Sequence, residues 1–190
     1  LIKTAKGVEW LTIPVNVKGQ YYQKICDTTV SDIEKWAEKH WKTIVQNYRK
    51  ADYFNESAAV FEKLYFDAAK LQKLSEINYL FLTAVCNLLG IKTKISWSMD
   101  YILPEEKSEK LLSICKQANA GEYLSGPLAK DYLDEKLFLK NGISVKWMNY
   151  SGYPEYKQLY SLPFTHTVSI IDLFFNVGKD AAKKKMLSFI

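Results

Sequence analysis

The segment Ser169-Ile170-Ile171-Asp172-Leu173-Phe174-Phe175-Asn176-Val177-Gly178 constrains the fold more than any other stretch of the chain. Ile171, Phe174, Phe175 and Gly178 recur at helical spacing, and Ile170, Leu173 and Val177 extend the apolar surface almost all the way round. A helix that is apolar on most sides is buried, so other elements must surround this one. Asp172 and Asn176, one turn apart, are its polar exceptions, and buried polar groups need hydrogen-bond partners. Two readings stay open. In one, Ser169 and Asp172 form an N-terminal capping box, Thr165 and Thr167 compete for the cap, Asn176 bonds a neighbouring backbone group, and Gly178 is a left-handed C-cap. In the other, His166 and Asp172 stand at the wall of a site, the carboxylate orienting the imidazole or a ligand.

A chain of 190 residues can enclose such a helix within one domain, and we read 1–190 as a single domain without repeats or an obvious linker. Trp10-Leu11-Thr12-Ile13-Pro14-Val15 reads as a strand ended or put on an edge by Pro14, with a second strand over Lys24–Val30 after a turn at Gly19. A helix capped by Ser31 or Asp32 follows, with Ile33, Trp36, Ala37, His40, Trp41, Ile44, Val45 and Tyr48 on one face. His40 therefore lies on a buried face between two tryptophans. It is either a core histidine donating to a carbonyl, or a ligand or base.

Asn55 can cap a long helical region that bends near Asp67 to Lys70 and ends at Gly90. Beyond it the rhythm changes. Lys92–Trp97 is rich in β-formers, Pro104–Asn119 reads as a helix, and Glu122-Tyr123-Leu124 is a short strand running into Ser125-Gly126-Pro127. A helix with Ala129, Tyr132, Leu133 and Leu137 in phase ends at Asn141-Gly142, and Ile143–Trp147 is a further strand. This alternation predicts a helix-rich α/β domain with a mostly parallel sheet, crossover helices and an N-terminal strand pair. Ligands of such sheets bind beyond the carboxyl ends of the strands, which makes Tyr123, Ser125 and Gly126 substrate-binding candidates beside a helix N-terminus able to receive an anion. A glycine in such a turn is equally plain geometry. Tyr150–Pro163 is an irregular loop rich in tyrosine, glycine and proline, of a length often tied to function.

The net charge of +5 owes much to Lys183-Lys184-Lys185, which reads as a solvated helix face, and Arg49 is the sole arginine. A nucleic-acid binder carries a richer basic stripe with arginine in it, so no nucleic-acid partner is expected. Cys26, Cys86 and Cys115 are widely spaced and, with only two histidines, make no zinc site of the usual spacing. Free thiols suit a reducing cytoplasm. The apolar run Tyr79–Leu89 falls well short of the roughly 20 residues a membrane-spanning helix needs, so it is read as core and no membrane insertion is expected.

Trp10-Leu11-Thr12-Ile13-Pro14-Val15, Lys39-His40-Trp41-Lys42-Thr43, Tyr48-Arg49-Lys50-Ala51-Asp52-Tyr53-Phe54, Tyr123-Leu124-Ser125-Gly126 and Ser169–Gly178, in that order, resemble the WbqC-like family. The resemblance runs from the first residues to Gly178, and the closing motif is its most specific part. It implies a further N-terminal segment that this sequence lacks, and a role in bacterial O-antigen or other surface-polysaccharide biosynthesis. It also implies transfer of an acyl (glycyl) group to an amino sugar, presented as a nucleotide-linked small molecule. No catalytic residue and no cofactor come with it. On that chemistry His166 is the first choice of base and His40 the second. Asp172 would orient the imidazole, while Ser169, Asn176, Tyr123, Ser125 and Gly126 would bind substrate. A non-catalytic sugar-nucleotide binding or scaffolding protein of the same pathway is the alternative, for which clustered tyrosines such as Tyr21-Tyr22, Tyr150 and Tyr153 are suited. A nucleotidyl-transferase-like enzyme is a third reading, resting on the strand–helix pattern alone.

Overall fold

Most of the amphipathic stretches become helices that bury their apolar faces on one another. The computed structural model describes residues 1–32, 35–160 and 163–185. Among these are helices α1 (Lys35–Tyr48), α2 (Phe54–Ala68), α3 (Leu74–Leu89), α4 (Lys107–Gln117), α5 (Glu135–Lys140) and α6 (Ile170–Lys185). Ile33, expected on the face of the first helix, lies outside the described residues. The chain divides into two compact units, one formed by Leu1–Lys92 with the chain from Pro154, the other by Thr93–Tyr153.

In the first unit α6 packs most extensively on α2, and α1 and α3 flank α2. Phe174 and Phe175 have no exposed surface. Both rings lie 5.6 Å from Phe61, and Phe175 also meets Phe54 at 4.8 Å and Tyr48 at 5.5 Å. Burying each such side chain contributes roughly 1.5–3 kcal/mol, which makes this aromatic cluster the centre of the unit. The expected bend in the long helical region is a break, with α2 stopping at Ala68 and α3 starting at Leu74. Gly90, at φ 75°, closes α3 with a left-handed cap.

Gly178 is not a terminal cap. Its backbone, at φ 77° and ψ 167°, kinks α6 while the helix continues to Lys185. The Lys179 N–H left free by the kink donates to Glu56 Oε1 at 2.9 Å. A Cβ at Gly178 would come within 2.7 Å of Tyr53 Cδ1 and 2.9 Å of Glu56 Oε2. Dihedral and space both require glycine here.

The N-terminal strand pair exists, but earlier than expected. β1 (Ile2–Thr4) and β2 (Gly7–Glu9) form an antiparallel hairpin. Trp10–Val15 is irregular, meeting the later segment only at the Val15–Val30 bridge, and Lys24–Val30 turns through a 3₁₀ turn at Ile25–Asp27. Pro14 has no N–H to give a ladder; its carbonyl instead accepts from Ser31 N at 3.0 Å.

In the second unit β3 (Glu122–Ser125) and β4 (Ser144–Trp147) pair in parallel, with Leu112, Cys115, Leu133, Phe138 and Ile143 forming the core. The expected mostly parallel sheet is thus, among the described residues, one parallel pair, because Lys92–Trp97 supplies no strand to widen it. The fold is helix-rich mixed α/β. Among the described residues no helix is long and apolar enough to cross a membrane.

Candidate functional site

The polar residues of α6 turn inward. Asp172 is 1% exposed. Its Oδ2 accepts from the Tyr48 hydroxyl at 2.9 Å, and its Oδ1 accepts from the Tyr156 hydroxyl at 2.7 Å and Gln158 Nε2 at 3.0 Å. Gln158 extends the network, its Oε1 accepting from the buried Lys3 ammonium at 2.7 Å and from Thr165 N at 3.0 Å. Lys3 also donates from Nζ to the Pro163 carbonyl at 2.6 Å, and from its backbone N–H to the Tyr48 oxygen at 2.9 Å. The buried cation and carboxylate are thereby joined through one amide, and β1, α1 and α6 are tied to Tyr156, Gln158, Pro163 and Thr165. Burial, reinforced by the neighbouring Asp172 charge, pushes the phenols of Tyr48 and Tyr156 well above their usual range, so both remain donors.

The geometry departs from a capping box. Ser169 Oγ accepts weakly from Ile171 N at 3.4 Å, and Asp172 N donates to the Ser169 carbonyl, but the Asp172 carboxylate faces the core. Asn176 Nδ2 donates to the Asp172 carbonyl at 2.7 Å, as its backbone reading anticipated. His166 stands apart from both. It is more than half exposed, its Nε2 is 3.9 Å from Glu155 Oε1, and its ring lies edge-on to Phe164 at 4.6 Å. None of the hydrogen bonds to Asp172 comes from it, so the carboxylate does not orient this imidazole.

His40 and Ser169 are brought together instead. Both line a cleft of about 400 Å³ in the first unit, between α1, α2, α3 and the start of α6. His40 Nε2 is 3.1 Å from the Thr12 carbonyl. A carbonyl only accepts, so Nε2 carries the proton of the neutral ring and Nδ1 keeps the lone pair. Burial holds this imidazole below its usual range, against the opposing pull of the Thr12 carbonyl. Trp36 and Tyr65 complete a ring trio, with centroids 5.3 Å (Trp36–His40), 6.1 Å (His40–Tyr65) and 6.1 Å (Trp36–Tyr65) apart. Burial pushes the Tyr65 phenol up to about 12. Trp36 Nε1 is buried without an acceptor.

Sequence reading missed Trp36 and Tyr65 as site residues. Trp36 precedes His40 by one helical turn and was legible as its neighbour. Tyr65 comes from another helix and left no local signal.

The other candidates belong to the second unit. Tyr123 stacks on Phe138 at 5.3 Å, Ser125 is buried with its carbonyl accepting from Met148 N at 2.8 Å, and a Cβ on Gly126 would meet the Tyr150 hydroxyl at 3.4 Å. Among the described residues no group of three or more His, Cys, Asp or Glu side chains is arranged to hold a metal ion.

The chain is 43% identical over 180 residues to the uncharacterized protein Rv1507c of Mycobacterium tuberculosis, a match covering 95% of this chain and 77% of that protein. No solved structure is significantly similar to it. A family model matches residues 1–184, nearly the whole chain and both units described above, and on that ground the chain belongs to the WbqC-like protein family.

Proposed function

We propose that this chain is a cytoplasmic transferase of bacterial O-antigen or other surface-polysaccharide biosynthesis, joining an acyl group to the amine of a nucleotide-linked amino sugar. The observation that supports it is His40, a neutral imidazole with its tautomer set by the Thr12 carbonyl and its ring on the wall of an apolar cleft. In this reading the sugar amine attacks the carbonyl carbon of an activated acyl ester or thioester. The C–N bond forms, the carbonyl π pair moves to oxygen, and collapse of the adduct expels the alkoxide or thiolate. His40 Nδ1 takes the proton from the attacking nitrogen and returns it to the leaving group, so that amide and free alcohol or thiol are the products. The hydroxyls of Tyr65 and Ser169 donate to the developing oxyanion. His40 takes the place of His166 because it lies at the cleft, whereas His166 faces Glu155 and solvent.

The test is mass spectrometry of an amino-sugar nucleotide incubated with the protein and activated acyl donors, glycyl included. A mass gain of one acyl group is expected. His40→Gln should lower turnover by roughly a hundredfold to ten-thousandfold while leaving the unfolding midpoint near that of the parent, and His166→Gln should change little. Sugar-nucleotide binding with no product from any donor would overturn the enzyme reading and leave a non-catalytic binding protein of the pathway.

A further inference from the structure

Residues 16–29 of the first unit form a loop whose two ends are held together. Val15 and Val30 form a bridge, Asn16 N donates to the Thr29 carbonyl at 2.9 Å, and Asn16 Nδ2 donates to Thr29 Oγ1 at 3.0 Å. Inside the loop Gln20 N donates to the Val17 carbonyl and Gln23 N to the Gln20 carbonyl, each at 3.1 Å. Gln23 Nε2 reaches back to the Asn16 carbonyl at 2.9 Å, and the Ile25–Asp27 turn packs on α3. Compact loops closed and cross-braced in this way are frequently functional. The bracing holds large side chains in solvent. Tyr21 is 90% and Tyr22 93% exposed, and Val17 and Ile25 in the same loop are 62% and 74% exposed. Exposed apolar side chains gathered in one place mark an interaction surface.

Charge and ring geometry select the partner. From Trp10 to Cys26 the only charged residues are Lys18 and Lys24, one on each side of the tyrosine pair in sequence, and Asp27 comes after the last of the exposed apolar side chains. Among the described residues neither lysine is in an ion pair. The two tyrosine rings meet edge-on, with centroids 5.0 Å apart and planes at 89°, so a flat sugar or base cannot lie against the faces of both. Small-molecule sites are concave, whereas these side chains stand in solvent. Protein partners are met by broad patches in which lysine is depleted. Tyrosines and aliphatic side chains flanked by unpaired lysines suit the boundary of an anionic bilayer, where tyrosine rings sit at headgroup level and ammonium groups stay with the lipid phosphates. We infer that the 16–29 loop docks this protein on the face of an anionic lipid bilayer. Tyr21, Tyr22, Val17 and Ile25 enter the headgroup boundary, and Lys18 and Lys24 pair with lipid phosphates. The protein lies on the membrane rather than crossing it. This docking does not depend on the acyl-transfer reading above.

Co-sedimentation with vesicles is the test, using phosphatidylcholine alone and phosphatidylcholine mixed with an equal amount of phosphatidylglycerol. Binding should be about thirtyfold tighter on the anionic vesicles, from roughly 1 kcal/mol per lysine, and should weaken as salt is raised. Tyr21→Ser combined with Tyr22→Ser should weaken it by about tenfold or more, with the unfolding midpoint unchanged because both side chains are exposed. Lys18→Gln combined with Lys24→Gln should remove most of the preference for anionic vesicles. Lys183→Gln combined with Lys184→Gln, also at exposed positions, should change binding less than the loop lysines do. Failure to bind anionic vesicles overturns the inference. Binding that survives the tyrosine changes also overturns it, as does binding that the Lys183 and Lys184 changes abolish, since the lysine run of α6 would then be the docking element. Vesicle binding that needs the tyrosines, without acyl transfer from any donor, supports the docking and sinks only the enzyme reading.

Discussion

Replacing Asp172 separates the two roles that its sequence context allows. In Asp172→Ala the Tyr48 hydroxyl, on a fully buried side chain, loses its acceptor at 2.9 Å, costing about 1–3 kcal/mol for an orphaned buried donor. The Tyr156 hydroxyl loses a 2.7 Å bond to a carboxylate from a partly buried position, worth about 1.5 kcal/mol where water can partly compensate. Gln158 Nε2 keeps the Thr165 carbonyl at 3.0 Å and loses less. Lys3 is left a buried cation whose counter-charge is gone. The sum is about 4 kcal/mol, a large share of the roughly 5–15 kcal/mol that holds a domain of this kind together. Asp172→Asn preserves shape and one acceptor oxygen but turns a donor toward a tyrosine hydroxyl, for a loss of about 2 kcal/mol. Urea unfolding followed by circular dichroism reads both, with the slope against denaturant unchanged. Lys3→Met combined with Asp172→Asn should lose at least ~0.5 kcal/mol less than the two single changes added, because each charge is the other's partner through Gln158. The reasoning fails if Asp172→Ala stays within about 1 kcal/mol of the parent. It fails equally if Asp172→Asn abolishes turnover at unchanged stability, since the carboxylate would then be serving chemistry rather than the fold.

Further outcomes follow from the same geometry. Gly178→Ala forces a side chain into a left-handed φ of 77° and into Tyr53 Cδ1 at 2.7 Å, so a loss of about 2–4 kcal/mol is expected by urea unfolding. Because burial lowers the His40 pKa, the unfolded chain binds the proton more readily than the folded one below its ordinary value of 6.5. Its contribution to stability is therefore complete above about pH 6.5 and declines as the pH falls below it. The unfolding midpoint should drop between pH 7 and 5, and His40→Gln should flatten that dependence. The acid limb of kcat/KM should lie below 6.5 for the same reason. Burial raises the Cys115 thiol, whereas Cys26 and Cys86 are only half-buried. An aromatic disulfide reagent should thus modify Cys115 last in the folded protein, and all three at one rate in urea.

How much of this was legible in the sequence depends on how far apart the interacting residues lie. Local periodicity carried the helices. The run from Trp36 to Tyr48 placed His40 on a buried face, and the Thr12 carbonyl is the kind of partner expected there. The burial of α6 was equally legible, since a rod with Phe174, Phe175, Leu173 and Ile171 on adjoining faces has no solvent side. Strand placement was not, because β-propensity records fit to a half-buried surface rather than a backbone preference. Trp10–Val15 has the composition of a strand, but among the described residues it meets a neighbour only at the Val15–Val30 bridge. Asp172 is the sharpest case. Ser169 three residues before it is a capping signal, and a local reading assigns its carboxylate to the backbone or to His166. Its actual partners are Tyr48, 124 positions away, and Tyr156 and Gln158 on the preceding loop. Capping can be read within one turn of helix, whereas a buried carboxylate is satisfied by whatever donors the packing delivers. The same applies to the cleft: Trp36 and His40 share a helix, but Tyr65 and Leu82 reach them only because α2 and α3 break apart at Ala69–Lys73 and fold back on α1 and α6. That break, and not any motif around a histidine, creates the hollow that His40 and Tyr65 line.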